Sequence, residues 1–460
     1  MKKAGIFGKL MTALVFTVFM AVSPGSYGQG RIWTLEDCVN YAFENNIQIK
    51  QTQLGIENSE INMLEGRLNL LPSLNGSSNY SYAWGRVLDR SRYIYINQET
   101  KQANFGLDAS VLLFGGLQNL NTIKKNKIDF LSSQFAADKM KDDISLMLTQ
   151  AYLSVLFNKE LLNVARKQVE ITKLQVDRTN KLVEAGTLAR GSLLEIQAQA
   201  AKEEITVINY ENSLNLAYLD LLQILDLPAD SDFDIDVPEF NAALELNLLP
   251  VSAVYDFAVS NQPMIKSGEL DVESAYKSVA IAKGRMSPTI SMATGWSTNY
   301  SNQYFKYDPI SQEIIGKIPF DDQFMDNQST YLGFSLNIPI FNGYQVSSNI
   351  SRAKVAAANE DYNFQLTKNT LRKNIEQAYN DAQSGYKSYV ATEKSLKSFE
   401  ESYRYTEQKF NVGLSNSVDY NLAKSQLTAA QSELLRAKFD FIFKTKILDF
   451  YMGKPLTLEQ

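Results

Sequence analysis

Leu113-Phe114-Gly115-Gly116-Leu117-Gln118 recurs as Ile340-Phe341-Asn342-Gly343-Tyr344-Gln345, with Phe114 matched to Phe341 at an offset of 227. The same offset matches Gln150-Ala151-Tyr152 to Gln377-Ala378-Tyr379, Gly186 to Gly413, Gln199 to Gln426 and Pro228 to Pro455, so the register holds without a gap from Phe114 to Pro228. Upstream, Asn45 and Asn46 match Asn261 and Gln262, and Pro72 matches Pro288, at an offset of 216. The change of offset puts an insertion between the strands of the second copy. A period of about 220 residues is too long for a solenoid and reads as a duplicated half-subunit. The chain divides into a first repeat at 29–228, an acidic linker at 229–249 and a second repeat at 250–460.

Each copy reads as helix, two strands, long helix, turn and helix. In the first copy a strand at Ser73–Arg86 puts Leu74, Tyr80, Tyr82 and Trp84 on one face and Ser73, Asn75, Ser77, Asn79 and Ser81 on the other. The period is two. The next strand, Asn104–Leu113, sets Phe105, Leu107, Ala109, Val111 and Leu113 against Asn104, Gly106, Asp108 and Ser110. The second copy repeats the pattern with Ile290, Met292, Trp296 and Tyr300 in Pro288–Tyr300, then with Leu332, Phe334, Leu336, Ile338 and Ile340 in Thr330–Ile340.

Such strands suit a sandwich, or a membrane barrel with lipid outside and water inside. Hairpins separated by long helical stretches have no second sheet to pack on, whereas lipid would cover their apolar face. Trp84, Tyr93, Tyr95, Trp296, Tyr300, Tyr304 and Tyr307 near the outer strand ends suit an interfacial aromatic belt. Lipid tolerates no open sheet edge, and the smallest barrels have eight strands. Subunits must therefore pool their strands, to eight in a dimer or twelve in a trimer.

From Leu117 to Glu184 there is no proline or glycine, and Ile128, Leu131, Phe135, Ile144, Met147, Ala151 and Val155 recur at helical spacing. At 1.5 Å per residue this is a helix ~100 Å long. Its twin runs from Tyr344 to Asn411 with only Gly385 inside. The stripe alone reads as an ordinary coiled coil. Attached to a membrane hairpin, it becomes a wall reaching into the periplasm.

Lys2, Lys3 and Lys9, the apolar run Leu10–Val22 and the small residues Ser26 and Gly28 read as a secretory signal peptide at 1–28. The formal net charge of −6 becomes −9 once those three lysines are removed, with no concentrated basic run, which argues against nucleic acid as a partner. No later apolar run approaches the ~18 residues of a spanning helix, so membrane entry is by strands. The single cysteine, Cys38, forms no internal disulfide, and Thr34-Leu35-Glu36-Asp37 before it lacks the small residues of a lipoprotein site. It reads as a packed helix residue. The chain has no histidine, which removes the commonest general base and metal ligand. No catalytic cluster and no cofactor motif stand out, so the chain reads as a non-enzyme. Asp230, Asp232, Asp234 and Asp236 alternate, but the glycine and closing glutamate of a calcium loop are missing, and the stretch reads as a strand's polar edge.

The duplicated plan, the strand ends Leu113-Phe114-Gly115-Gly116 and Ile340-Phe341-Asn342-Gly343, and the turn Phe410-Asn411-Val412-Gly413-Leu414 together resemble the TolC family of outer-membrane efflux proteins. The resemblance covers essentially the whole mature chain. It implies an α+β membrane protein in the outer membrane, a homotrimer whose twelve-stranded transmembrane β-barrel is continued by a twelve-helix barrel in the periplasm. It also implies docking to a periplasmic adaptor protein that links the channel to an inner-membrane pump.

In that family the turn after each long helix lies at the periplasmic tip, where the tunnel narrows and the adaptor docks. Gly186 and Gly413 match the turn glycine, which also has a local reason as a helix C-cap with positive φ. Val412-Gly413-Leu414 matches the adaptor-contact tripeptide, whereas the first copy departs from it with Ala185-Gly186-Thr187. Asp419 matches an aspartate facing the tunnel axis, so three copies would form an acidic ring that favours cations. It equally suits the N-terminus of the following helix. The family's gating arginine and second acid are replaced by Ser415 and Leu422, leaving Arg190 and Glu195 as candidates for a different lock. A stand-alone porin or a periplasmic structural coiled-coil protein are the competing readings; the first would not need such helices, and the second would lack amphipathic strands.

Overall fold

The computed structural model describes residues 32–89, 93–238, 246, 248–311 and 313–457; the signal peptide read at 1–28 lies outside them. A short strand, β1 (Ile32–Trp33), leads into helices α1 (Leu35–Asn45) and α2 (Ile47–Leu68), the hairpin β2 (Ser73–Asp89) and β3 (Ile94–Gly115), and helices α3 (Gln118–Glu184) and α4 (Arg190–Ile224). Strand β4 (Asp234–Ile235) follows, then α5 (Val251–Asn261), α6 (Pro263–Gly284) and β5 (Thr289–Ser301). The inserted strands β6 (Phe305–Tyr307) and β7 (Ile314–Lys317) come next, with a short helix α7 (Phe320–Asp326). The chain closes with β8 (Ser329–Asn337), α8 (Gln345–Asn411) and α9 (Ser417–Tyr451).

The duplication is visible in the lengths. Helices of 11, 22, 67 and 35 residues in the first half are matched by helices of 11, 22, 67 and 35 in the second. It is visible in the core as well. Cys38, Ala42, Ile49, Ile144 and Leu148 are buried in one cluster, and Val254, Ala258, Ile265, Leu371 and Ile375, their counterparts at the two offsets, form another. Cys38 thus holds the place of a valine, and burial, with Asp37 beside it, pushes its thiol up to about 12. It is a small apolar core residue.

Strands β2, β3, β5 and β8 form one antiparallel sheet in that order, leaving β2 and β8 as its edges. The register keeps like with like: Leu74 faces Ala109, Leu107 faces Trp296, Val111 faces Met292, and Phe334 faces Met292 from the far side. On the opposite face Ser73 meets Ser110 and Ser291 meets Ser335, each pair joined through its hydroxyls. No other described segment covers most of the apolar face. Leu74, Leu332, Phe334 and Leu336 are each more than 60% exposed.

The strands differ from expectation at four points. The first hairpin is longer, because β3 begins ten residues before Asn104 and stays paired with β2 out to Asp89 and Ile94. β8 ends at Asn337 rather than Ile340, since Pro339 has no N–H to give a ladder. A bulge between Leu112 and Phe114 makes Phe114, not Leu113, the residue opposite Ile290. Trp296 and Tyr300, expected in the exposed belt, lie instead under Phe324 and Phe320 of α7.

The recurrent hexapeptide turns strand into helix with two successive left-handed residues, Gly116 (φ 63°) with Leu117 (φ 61°) and Gly343 (φ 61°) with Tyr344 (φ 67°). A Cβ on Gly116 would fall 2.2 Å from the Gly284 carbonyl oxygen, so α6 crosses too closely for any side chain there. At the other end of the sequence repeat, β1 pairs in parallel with β4, and the Tyr152 hydroxyl donates to the carbonyl oxygens of Trp33 (3.1 Å) and Asp236 (2.8 Å). Asp234 is held there by Lys159 (2.9 Å) and Tyr218 (2.6 Å).

Candidate functional site: the paired helical tips

The long helices α3 and α8 end the same way. After α3, the Gly186 N–H donates to Val183 (3.0 Å) and the Thr187 N–H to Leu182 (2.9 Å); after α8, Gly413 donates to Phe410 (3.1 Å) and Leu414 to Lys409 (2.8 Å). These are Schellman caps, which satisfy the last carbonyls and require a left-handed residue. Gly186 (φ 77°) and Gly413 (φ 79°) supply it, and open space surrounds both.

The side chains part company at that point. In a Schellman cap the residue after the glycine usually packs back on the last helical turn. Thr187 does so with its hydroxyl, which donates to the Leu182 carbonyl oxygen at 2.8 Å. Leu414 has Lys409 in the matching position and remains 78% exposed, next to Val412 at 69%. Two large apolar side chains therefore project from the second tip, where the first has Ala185 and Thr187 in the matching places.

The following helices also begin differently. α9 is capped by Asn416, whose Oδ1 accepts from the Asp419 N–H at 2.8 Å, and Asp419 adds an acid to the first turn. Ala189 caps α4 without a side-chain bond, and its first turn holds Arg190 and no acid. Asp419 is exposed, with no partner for its carboxylate among the described residues. Arg190 and Glu195 do not meet. Five residues apart, they lie on different sides of α4. Glu195 instead accepts from the buried hydroxyl of Ser417, tying the start of α4 to the start of α9.

Further contacts tie the tips together, one between the repeats and two within the second. The Arg178 guanidinium donates to Asn411 at 2.5 Å, Tyr403 and Tyr420 share a hydroxyl contact of 2.9 Å, and Phe410 stacks on Tyr420. Burial, then the Tyr420 hydroxyl, push the Tyr403 phenol above its ordinary range. One turn further from the tip than Tyr420, Lys424 is buried among α3, α4 and α9. Its Nζ donates to the Thr172 hydroxyl and lies 3.4 Å from Glu203, while Thr172 donates in turn to Glu203 and Gln199 donates to Glu203 at 2.9 Å. Burial pushes the Lys424 ammonium down, and the Glu203 carboxylate opposes the shift. Sequence reading passed over this node. Its signal was a lysine on the stripe Ser417, Tyr420, Lys424, where α9 otherwise buries small and apolar groups.

A family model described as outer membrane efflux protein matches residues 38–226 and 254–444. The outer membrane protein TolC of Vibrio cholerae is 21% identical over 427 residues, covering 92% of this chain and 92% of its own. The proteases secretion protein PrtF of Dickeya chrysanthemi is 21% identical, covering 94% of this chain and 89% of its own. Among solved structures, the CmeC outer membrane channel of Campylobacter jejuni superposes with a TM-score of 0.75 at 18% identity, over 93% of this chain and 87% of that one.

Proposed function

The chain belongs to the outer membrane efflux protein family, and we propose that three copies assemble into a passive exit duct through the outer membrane. Each copy gives β2, β3, β5 and β8 to a twelve-stranded barrel and α3, α4, α8 and α9 to a twelve-helix tunnel in the periplasm. The observation that carries this reading is the sheet: one face polar, the other apolar and largely uncovered, and both edges unpaired among the described residues. In lipid such edges must close, and four strands cannot close alone. A stand-alone porin has no use for two 67-residue helices.

The tip turns supply the partner contact and the gate. A periplasmic adaptor docks on Val412, Gly413 and Leu414, with Gly186 offering a plainer, secondary contact, and couples the duct to an inner-membrane pump that supplies the energy. Asp419, repeated three times about the axis, forms an acidic constriction that favours cations. Glu195, held by Ser417, and Arg190, at the start of the same helix, are the further gate residues. The cargo is small molecules or secreted polypeptide, since relatives of both efflux and protease-secretion type share the fold.

Single cysteines at Leu107 and Leu336, in a Cys38→Ala background, test the assembly. Both should react with a lipid-partitioning maleimide and resist a water-soluble one, while Ser335→Cys on the polar face should do the reverse. The detergent-solubilised particle should have the mass of three chains. Aqueous labelling at Leu336 would invert the faces, and a two-chain mass would end the twelve-stranded barrel.

A further inference from the structure

The insertion between β5 and β8 solves a problem that the barrel itself creates. β8 begins at Ser329, opposite Ser297, so the last rungs of β5 have a strand partner on the β3 side only. Open backbone groups at that height would face lipid, which offers them no hydrogen-bond partner. Helix α7 fills the place of the missing strand. The Gln323 side chain, 1% exposed, accepts from the Ser301 N–H at 2.8 Å and donates to the carbonyl oxygens of Ser301 (3.0 Å) and Ile318 (2.7 Å). One amide thus copies the two-bond pattern of a strand neighbour. Asn327 donates to the Asn299 carbonyl oxygen at 2.8 Å, and the Thr298 hydroxyl to that of Phe324 at 2.8 Å.

The same helix lies on the apolar face. Phe320 and Phe324 pack against Phe105, Trp296 and Tyr300 with ring centroids 5.4 to 6.2 Å apart. That face is continuous with the uncovered Leu332, Phe334 and Leu336. Phe320 is still 43% exposed and Met325 66% exposed, whereas Asp321, Asp322 and Asp326 are the exposed acids of the helix. Thr298 stands eight residues along β5 from Ile290, which at ~3.3 Å per residue and a tilt of ~40° is a height of roughly 20 Å. An outer-membrane barrel has an apolar band of roughly 25 Å. α7 therefore falls at its upper rim.

We propose that α7 is a lipid-seated element of the barrel wall: it replaces the missing rungs of β8 through Gln323 and Asn327, and presents Phe320 and Met325 to the outer-leaflet interface. The partner is the lipid surface. Aromatic and apolar area drives the contact, because the acids on the helix give no attraction to anionic headgroups. The inference rests on the barrel reading above.

Nitroxide labels at Met325, Phe334 and Lys306, in the full chain reconstituted in phosphatidylcholine vesicles, separate the possibilities by collision with oxygen and with a neutral nickel chelate. Met325 should show lipid-type accessibility at a depth shallower than Phe334, with Lys306 as the aqueous reference. Phe320→Ser with Phe324→Ser should move the Met325 label toward the aqueous pattern while the oligomer survives. A Met325 label with the Lys306 pattern would put α7 in water and overturn the proposal. A label shielded from both reagents would also overturn it, by giving α7 a neighbouring copy as its cover. If Phe334 itself were aqueous, the barrel reading would fail first, and the two failures are thereby told apart.

Discussion

The two helical tips have one backbone and two chemistries. Gly186 and Gly413 close α3 and α8 with the same pair of hydrogen bonds. The first tip then satisfies itself, through Thr187 on Leu182, and begins α4 with an uncapped alanine. The second leaves Val412 and Leu414 in solvent and begins α9 with a side-chain cap and an acid. Duplication fixed the turn, and divergence left the large exposed apolar side chains to one copy. The asymmetry continues up the following helix, where Lys424 sits buried and its counterpart Gln197 is exposed.

The largest effect is expected at that pair. Lys424→Ala leaves the mostly buried Glu203 without its cation, a loss of about 2 kcal/mol, because breaking one side of a largely buried pair strands the other. Thermal loss of the helical circular-dichroism signal in detergent should shift down markedly, and Glu203→Gln added to Lys424→Met should recover most of it. Gln197→Ala should change little. Equal melting of Lys424→Ala and wild type would show that the two copies do not differ here in energy.

Next comes the docking contrast. Leu414→Arg should abolish transport, as removal of a central apolar anchor costs about 2 kcal/mol or more in a typical interface, and the oligomer should remain intact on native gels. Thr187→Arg should leave transport near wild type. If the two variants behaved alike, the exposed leucine would lose its special status.

A smaller change is expected at the constriction. Asp419→Ala should raise anion permeability and weaken block by multivalent cations in planar bilayers, with a stability loss of ~1 kcal/mol or less because Asn416 still caps the helix. Ser192→Ala, the matching change in the first copy, should alter neither. Unchanged selectivity in the Asp419 variant would reduce that residue to a helix-end charge.

The smallest effect is a pH dependence. Burial, then Asp138 and Asp143, push the Asp142 carboxyl up to about 6; the second copy carries Asn369 in its place. The folded chain thus binds this proton more tightly than the unfolded chain does, so the site contributes stability as pH falls through about 6 and costs stability above it. Asp142→Asn should raise the melting temperature at pH 7.5, and the advantage should shrink as pH falls below about 6 and vanish only below the ordinary carboxylate value. A gain independent of pH would point to a cause other than the carboxylate.

Sequence alone reached the elements whose pattern is local. The alternation of Leu332, Phe334 and Leu336 and the unbroken run to Glu184 each declare their structure within one element, and repetition doubled the evidence. It failed where a distant segment decides. β3 from Ile94 to Ala103 mixes polar and apolar residues without alternation and is a strand because β2 lies beside it. The bulge at Leu112 and the cover that α7 gives Trp296 depend on partners far along the chain. At the tips, the glycines were legible because positive φ is a local demand. The Ser417–Glu195 and Lys424–Glu203 contacts join residues more than two hundred positions apart, and no spacing rule announces them.

The parallel pairing of Ile32–Trp33 with Asp234–Ile235 ties the beginning of the described chain to the segment between the repeats. A ribosome delivers those two partners about 200 residues apart, yet the entropic cost of closing a loop grows only logarithmically with its length, by ~0.6 kcal/mol for each doubling. The Tyr152 hydroxyl, midway along that loop, bonds to both sides of the closure. Closing the first repeat on itself thus costs little more entropy than closing a loop half as long, and Phe439 and Ile442 of the second repeat complete the same core.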